Sequence, residues 1–508
     1  MTFYRLYKFF SNFSSKNSQW VSFVLFFALF FFSALVYNLL SPLKRTIIMY
    51  IPGAGSEALM YLKPLFITPI SLILTYLYLN LSSTYSQRIV FRIFIAVFGV
   101  YFISYTVLFA PYREYFALHG LADLLEKAFS THLRFHVIIP LVRYWMDTLF
   151  YVMAELWGST MVSLLIWGAV NQSMTISAAK NQYVFFTLGV NTSAIVAGAL
   201  SVLFGSWCHG SDESHWIQFT HITMFVVCCF LILTLVLYEF LSNKKWIITQ
   251  EELPSHKSLS AERPKYTLVQ AIKHVYQHPR LLAIAVIVLS YNTLYTLSDF
   301  IFSSRVEMFF GAHEKIHSNS FLAKVSLATG CFAIVLALIV YPIVMRKGGW
   351  KYTALLTPFI FVGSAIVFYL MQSFELYHFA FAIYVGGSST ITLMTGAIHI
   401  ALLRAAKYSV FDATKEQAYV GLPLSDQING KAVIDAIGSR FGKSLGSYII
   451  FILFSIFGSQ VSSIFPYVIL SGVLMVLYWI HSILVLDRAC HSNVNQMDNA
   501  QHLVAVHS

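Results

Sequence analysis

Apolar residues run along this chain in stretches of about twenty, divided by short polar connections. A helix needs roughly that many residues, at 1.5 Å rise each, to cross the hydrocarbon of a bilayer. The pattern predicts spans at 20–40, 65–81, 89–110, 144–168, 183–205, 217–240, 281–301, 320–345, 352–371, 377–403, 444–460 and 463–486. Between the third and fourth, the segment from Ala117 to Phe129 reads as an amphipathic helix outside the bilayer. The expected fold class is therefore an all-α membrane protein of about twelve transmembrane helices.

Lysine and arginine test this reading, because they crowd the cytoplasmic connections of membrane proteins. With both termini inside, the cytoplasmic segments hold 23 of the 33 basic residues, among them Arg88, Arg92, Lys180, Arg346, Lys347 and Arg488. The alternation supports an even number of spans. The longest markedly basic connection, 241–280, follows the sixth span and divides the chain into an N-terminal half (1–240) and a C-terminal half (281–490), with a cytoplasmic tail at 491–508. Two helical halves with a site between them near the midplane is a carrier's layout.

Composition closes off other classes. Of 508 residues, 58% are hydrophobic and 11% charged, with a mean hydropathy of +0.69; average soluble domains carry roughly 25% charged residues. A water-soluble globule is excluded. The net charge of +11 is spread over many connections, so topology explains it better than nucleic acid does. Cys208, Cys228, Cys229, Cys331 and Cys490 lack metal-site or disulfide spacing, so no metal or cofactor is expected. The apolar stretch after Arg5, Lys8 and Lys16 is too long for a signal peptide, no transit-peptide composition precedes it, and a bacterial inner membrane is the expected location.

The informative residues are ionisable groups inside apolar spans, since such groups usually face a partner, a water-filled cavity or a substrate. Lys44 and Arg45 end the first span by simple counting, or turn inward if that helix continues past Ser41. Lys63 opens the second span, Glu155 sits mid-way along the fourth, Asp299 near the end of the seventh and Lys324 in the eighth; Arg440 and Lys443 enter the eleventh. An internal salt bridge accounts for any of the carboxylates, and head-group contact for Lys44, Arg45 and Arg440; placement in a substrate path accounts for all of them. Basic groups outnumber acidic ones, favouring an anionic substrate whose phosphates need several donors.

Two motifs carry less than they promise. The run GSRFGKS at Gly438–Ser444 has three residues between its glycines where a phosphate loop needs four, and follows no strand. His119 and Asp123 share a helix face as in some acyl-transfer sites, but the amphipathic helix explains them more simply. A membrane-embedded enzyme acting on nucleotide-linked substrates is the alternative from another class, and it lacks a catalytic motif.

Longer strings then add to hydropathy. AELWGSTMVSLLIWGAVNQSMTISAAKNQYVFFTLGVN (Ala154–Asn191), PGAGSEALMYLK (Pro52–Lys63), the stretch from Lys407 to Ser447, and PYR at Pro111–Arg113 resemble the nucleotide transporter family of plastids and obligate intracellular bacteria, the ATP/ADP translocases. The resemblance covers nearly the whole chain. It implies a twelve-helix fold similar to the major facilitator group, nucleotide binding without hydrolysis, and exchange of external ATP for internal ADP plus phosphate. It also implies roles in transport for Lys63, Glu155, Asp299 and Lys443. At Asp299 the family usually has Glu; four positions on, where it often has Lys after Trp, this chain has Phe302 and Ser303; and Lys44 and Arg45 replace a basic–acidic pair. Related members carry other ribonucleotides or NAD, or couple uptake to protons, and these remain alternative substrates and coupling species.

Overall fold

The computed structural model describes residues 17–128, 137–173, 176–208, 210, 212–243, 268–311, 313–376, 388–419, 422, 430, 434, 438–458 and 460–506. Among the described residues the regular structure is helical throughout. The membrane helices are α1 (Asn17–Met49), α2 (Ala58–Ser82), α3 (Gln87–Phe109), α5 (Trp145–Val170), α6 (Ile176–Trp207), α7 (Glu213–Asn243), α8 (Pro279–Phe310), α9 (Lys315–Val335), α10 (Tyr341–Leu376), α11 (Ser388–Ala406), α12 (Ser439–Phe457) and α13 (Val461–Val506). The short α4 (His119–Ala128) is the amphipathic helix expected between the third and fourth spans.

Helices α9 and α10 run on through a π turn at Leu336–Val340, and the bend that separates two crossings comes later, at Gly349, whose backbone leaves the helix at φ +71°. Twelve apolar helices result among the described residues. The predicted spans overlap them, and three differences of length bear on the charged residues and the C-terminus. α1 continues through Pro42 to Met49 and carries Lys44 and Arg45 inside it. α8 extends to Phe310, so Asp299 is interior to its helix and not near its end. α13 runs past the last expected span to Val506. A helix can outrun its apolar stretch wherever neighbours bury the polar residues that follow, as they do for Lys44 and Asp299. Most of the basic connection 241–280, including 244–267, lies outside the described residues, as does 377–387 at the start of the predicted tenth span.

The chain divides into two compact units. One comprises Met1–Glu262, Phe300–Ile334 and Ser389–Ala401; the other comprises Arg263–Asp299, Val335–Ser388 and Leu402–Ser508. In the first, aromatic residues fill the seam between α1, α5 and α6. Phe30 packs on Trp167 and Phe186 with ring centroids 4.6 and 5.1 Å apart, and Asn38 donates to Ser193 across the same seam at 2.9 Å. Small residues let α6 and α9 approach: a Cβ on Gly198 would lie 2.6 Å from the Ala323 carbonyl, and one on Gly330 2.7 Å from that of Asn191. Without a hydrophobic drive between helices in lipid, such close backbone approach supplies much of the association.

In the second unit α8 packs on α12 by the same means. Cβ atoms on Gly442 and Gly446 would come within 2.7 Å of Asn292 and Thr296, and the Thr293 hydroxyl donates to the Gly442 carbonyl at 3.1 Å. The glycine-rich run that resembles a phosphate loop is thus the contact face of a membrane helix. Trp350 donates to the Thr414 carbonyl at 2.9 Å, and Lys351 pairs with Asp487 at 3.4 Å.

Candidate functional site

In the first unit α1 and α5 bring Lys44 and Glu155 into a direct salt bridge. Lys44 is 2% exposed and Glu155 21%. Two aromatic rings back the ammonium: Tyr37, two turns before Lys44 on α1, at 5.1 Å and Tyr151, one turn before Glu155 on α5, at 5.3 Å. A buried ammonium loses its hydration, and the carboxylate and the two π faces replace it.

The surrounding motif builds this pair. Trp157 donates its indole N–H to the Ser33 carbonyl at 3.0 Å, locking α5 to α1 two residues from Glu155. At Gly158, Tyr37 occupies the space a side chain would take. A π segment, Gly158–Ile166, follows at once, and π turns often mark functional sites in helices. Similar segments begin at Lys63 itself and at Lys407, three residues after Arg404. Arg45 and Lys63 are both buried, at 8% and 9% exposure. Lys324 is exposed on α9.

In the second unit α8 and α11 bring Asp299 to Arg404, at 3.7 Å. Tyr295, one turn before Asp299, accepts a hydrogen bond from Arg404 Nε at 2.9 Å, lies under the guanidinium with 5.7 Å to the ring centre, and donates to Asp299 at 3.4 Å. Tyr291 donates to the Leu403 carbonyl at 3.2 Å and holds the two helices in register. Lys443 is half-buried on α12 in the same unit. The backbone of Arg440 starts that helix, but its side chain lies outside the described residues.

A third group of charges lies at the ends of helices in the first unit. Asp147, in the first turn of α5, is buried; it accepts from Arg113 Nε at 2.8 Å and from the Tyr105 hydroxyl at 2.8 Å. Burial pushes the Arg113 guanidinium down, yet the Asp147 carboxylate and the Tyr105 and Tyr144 hydroxyls outweigh it and raise Arg113 above its ordinary range. Close by, a cavity of about 400 Å³ is lined by Tyr50, Pro52, Trp216, Glu213, Lys315 and neighbouring residues, with Lys315 paired to Glu213 at 2.6 Å. Burial pushes the Tyr50 hydroxyl up to about 12. The PGAGSE turn after α1 is pinned from α8: the Ser56 N–H donates to Glu307 at 2.7 Å. Gly55 beside it has φ +63°, and a Cβ there would sit 2.9 Å from the same carboxylate, so the turn suits glycine on both counts.

The structure therefore joins Lys44 to Glu155 and supplies Asp299 with a partner, Arg404, that sequence reasoning missed. Asp147, Glu307 and the tyrosines were missed as well. The signal for the tyrosines lies in the sequence as a repeated spacing, Tyr-x-x-x-Glu at Tyr151–Glu155 and Tyr-x-x-x-Asp at Tyr295–Asp299.

Known proteins fit this architecture. The fold is similar to that of the POT family transporter PepTSo, with a TM-score of 0.55 at 11% identity over 94% of this chain and 98% of that one. It is similar also to a bacterial homologue of the iron transporter ferroportin in an inward-facing state, with a TM-score of 0.54 at 14% identity over 93% of this chain and 99% of that one. Twelve apolar helices among the described residues, with charged pairs held inside them, define a multi-pass helical membrane protein whose fold is similar to that of the major facilitator group. Residues 4–489 match the family described as TLC ATP/ADP transporter, and the chain belongs to that family. It is 30% identical over 491 residues to ADP,ATP carrier protein 2 of Chlamydia pneumoniae, covering 94% of this chain and 90% of the relative. It is 28% identical to the chloroplastic ADP,ATP carrier protein 1 of Arabidopsis thaliana, covering 89% of this chain and 71% of that protein.

Proposed function

We propose that this protein exchanges ATP for ADP across a bacterial inner membrane by alternating access, with both termini in the cytoplasm and two six-helix halves, 1–240 and 281–490, changing access to a nucleotide site. The observation that carries the reading is the Lys44–Glu155 pair, an ammonium buried between two spans in a chain whose relatives are named ADP,ATP carriers. A nucleotide's phosphates are the natural replacement for a carboxylate partner, because both are oxyanions that accept charge-assisted hydrogen bonds. Lys63, Arg45, Arg440 and Lys443 supply further positive charge, and Glu155 and Asp299 hold basic groups in position while the site is empty.

Exchange follows if the loaded carrier reorients faster than the empty one. In proteoliposomes, uptake of labelled ATP is expected to rise severalfold when the lumen is preloaded with ADP. Equal uptake into empty vesicles, abolished by an uncoupler, would transfer the protein to the proton-driven class. Competition by all nucleotides and NAD against labelled ATP ranks the substrates in the same preparation.

A further inference from the structure

Exposed apolar side chains do not stop where α3 leaves the hydrocarbon. Val97, Val100, Ile103 and Val107 form an outward stripe on that membrane span, and their spacing of three and four residues is that of one helix face. Beyond it Tyr112, Tyr115, Leu118, Leu121 and Leu124 are exposed in turn, Tyr115 at 85% and Leu124 at 65%. Single exposed leucines are ordinary on a protein surface, whereas a run of large apolar groups marks an interaction site.

Local packing fixes the height of this segment. Phe116 lies against Phe109, the last residue of α3, with ring centroids 5.1 Å apart, and its carbonyl accepts from the indole N–H of Trp145, the first residue of α5, at 3.0 Å. The stretch between the two spans is thereby held at the level where both end. That level is the membrane–water boundary, where tyrosine and tryptophan concentrate because their rings are amphipathic.

Helix α4 has three faces. Ala122 is buried and Leu125 half-buried against the protein. With about 3.6 residues per turn, Leu121 and Leu124 fall on one flank of that contact and His119, Asp123 and Glu126 on the other. The acidic flank is tied to the start of α5: Arg143 donates to Asp123 at 2.9 Å and to Glu126 at 3.4 Å, while its carbonyl accepts from the Leu118 N–H at 2.9 Å. A helix lodged beside a protein wall, apolar on one flank and charged on the other, suits a boundary with hydrocarbon on one side and water on the other.

We infer that α4 is an interfacial helix: its Leu121–Leu124 flank, with Tyr112 and Tyr115, lies among the lipid head groups and upper acyl chains that border α3, and its acidic flank faces water. The occupant of the apolar flank is lipid because the outward stripe of a membrane span leads into it. Acidic charge gives no attraction for anionic lipid, so the contact is apolar in origin and a zwitterionic bilayer suffices. The inference is independent of what the carrier moves.

The test places single cysteines in the full-length protein with its native cysteines replaced: Tyr115→Cys, Leu121→Cys and Leu124→Cys on the apolar side, and Asp123→Cys on the other, which leaves the Glu126 contact to Arg143 in place. All four positions are exposed, so no packed side chain is displaced. Each variant is labelled with a polarity-sensitive fluorophore and reconstituted in phosphatidylcholine vesicles, with iodide on both sides or with lipid carrying a nitroxide near the head group or at the acyl-chain end. Labels at Tyr115, Leu121 and Leu124 are expected to be quenched severalfold more by the shallow nitroxide than by the deep one, and severalfold less by iodide than the label at Asp123. Iodide quenching as strong at Leu121 and Leu124 as at Asp123 overturns the inference, because the helix then stands in water. Labels at Leu121 and Leu124 shielded from iodide and from both nitroxide lipids overturn it as well, because a second copy or another part of the chain then covers the flank.

Discussion

The ring of Tyr37 fills the place of the side chain that residue 158 lacks: a Cβ on Gly158 would fall 2.8 Å from two of its carbons. Tyr37 in turn backs the ammonium of Lys44. Gly158→Val therefore forces the ring away and loosens the Lys44–Glu155 pair without touching a charge. The expected cost is about 1–3 kcal/mol of stability from overpacking, with ATP transport reduced more than protein abundance. Abundance-corrected uptake equal to the wild type's would show that Tyr37 is only filler.

Much of this architecture is legible in the sequence, and the reason is the solvent. In hydrocarbon every backbone group must be satisfied internally, so a long apolar run has one available structure, and twelve such runs are read from the sequence. Charge placement within a run is less legible. Lys44 looks like the end of a span because hydropathy falls there, and only the packing of α5 against α1 shows that the helix goes on. Glu155 and Asp299 stand out as charges among apolar residues; their partners depend on which helices touch, and neither Lys44 nor Arg404 is within a hundred residues of its carboxylate. Asp147 escapes notice because it sits at a span's edge, where a carboxylate favours the helix N-terminus and needs no special explanation.

Breaking the first pair from one side should be worse than removing it. Lys44→Met leaves a carboxylate without its ammonium, and loss of one partner of a buried pair costs about 3–5 kcal/mol. The Lys44→Met/Glu155→Gln double variant is expected to recover a substantial part of that stability in a thermal-unfolding series while remaining inactive in ATP uptake. A double variant as unstable as the single one would mean that the pair is not coupled. Recovered transport would remove Lys44 from the substrate path.

Lys63 and Lys443 are proposed to meet phosphate, and each such charge-assisted contact is worth roughly 1.5–3 kcal/mol. Lys63→Ala and Lys443→Ala should then raise the half-saturating ATP concentration by about ten- to a hundredfold, since each 1.4 kcal/mol is a factor of ten. The shift should be larger for ATP than for AMP. Unchanged saturation curves in both variants would leave these lysines as structural residues of their helices.

The Glu307 carboxylate holds the Ser56 N–H from α8 at 2.7 Å and lies against Gly55. Glu307→Ala removes the acceptor and leaves the turn to fluctuate. Ser56, buried at 2% exposure, becomes the reporter: in a Ser56→Cys background with the native cysteines replaced, maleimide labelling is expected to accelerate severalfold on adding Glu307→Ala. An unaltered labelling rate would show that the turn is held by its own glycine geometry.

On α12, Gly442 and Gly446 let the helix lie against α8 at Asn292 and Thr296, while Lys443 between them is half-buried. The two roles of the GSRFGKS run separate by substitution. Gly442→Leu drives a side chain into the Leu289 carbonyl, 2.9 Å from where its Cβ would sit, and backbone cannot yield as a flexible side chain does. Overpacking of this kind costs about 1–3 kcal/mol, so Gly442→Leu is expected to lower both Tm and protein yield, whereas Lys443→Ala lowers apparent ATP affinity with Tm held. The opposite pattern, a stable Gly442→Leu protein that has lost nucleotide binding, would restore the glycines to a phosphate-cradling role and count against the helix-packing account.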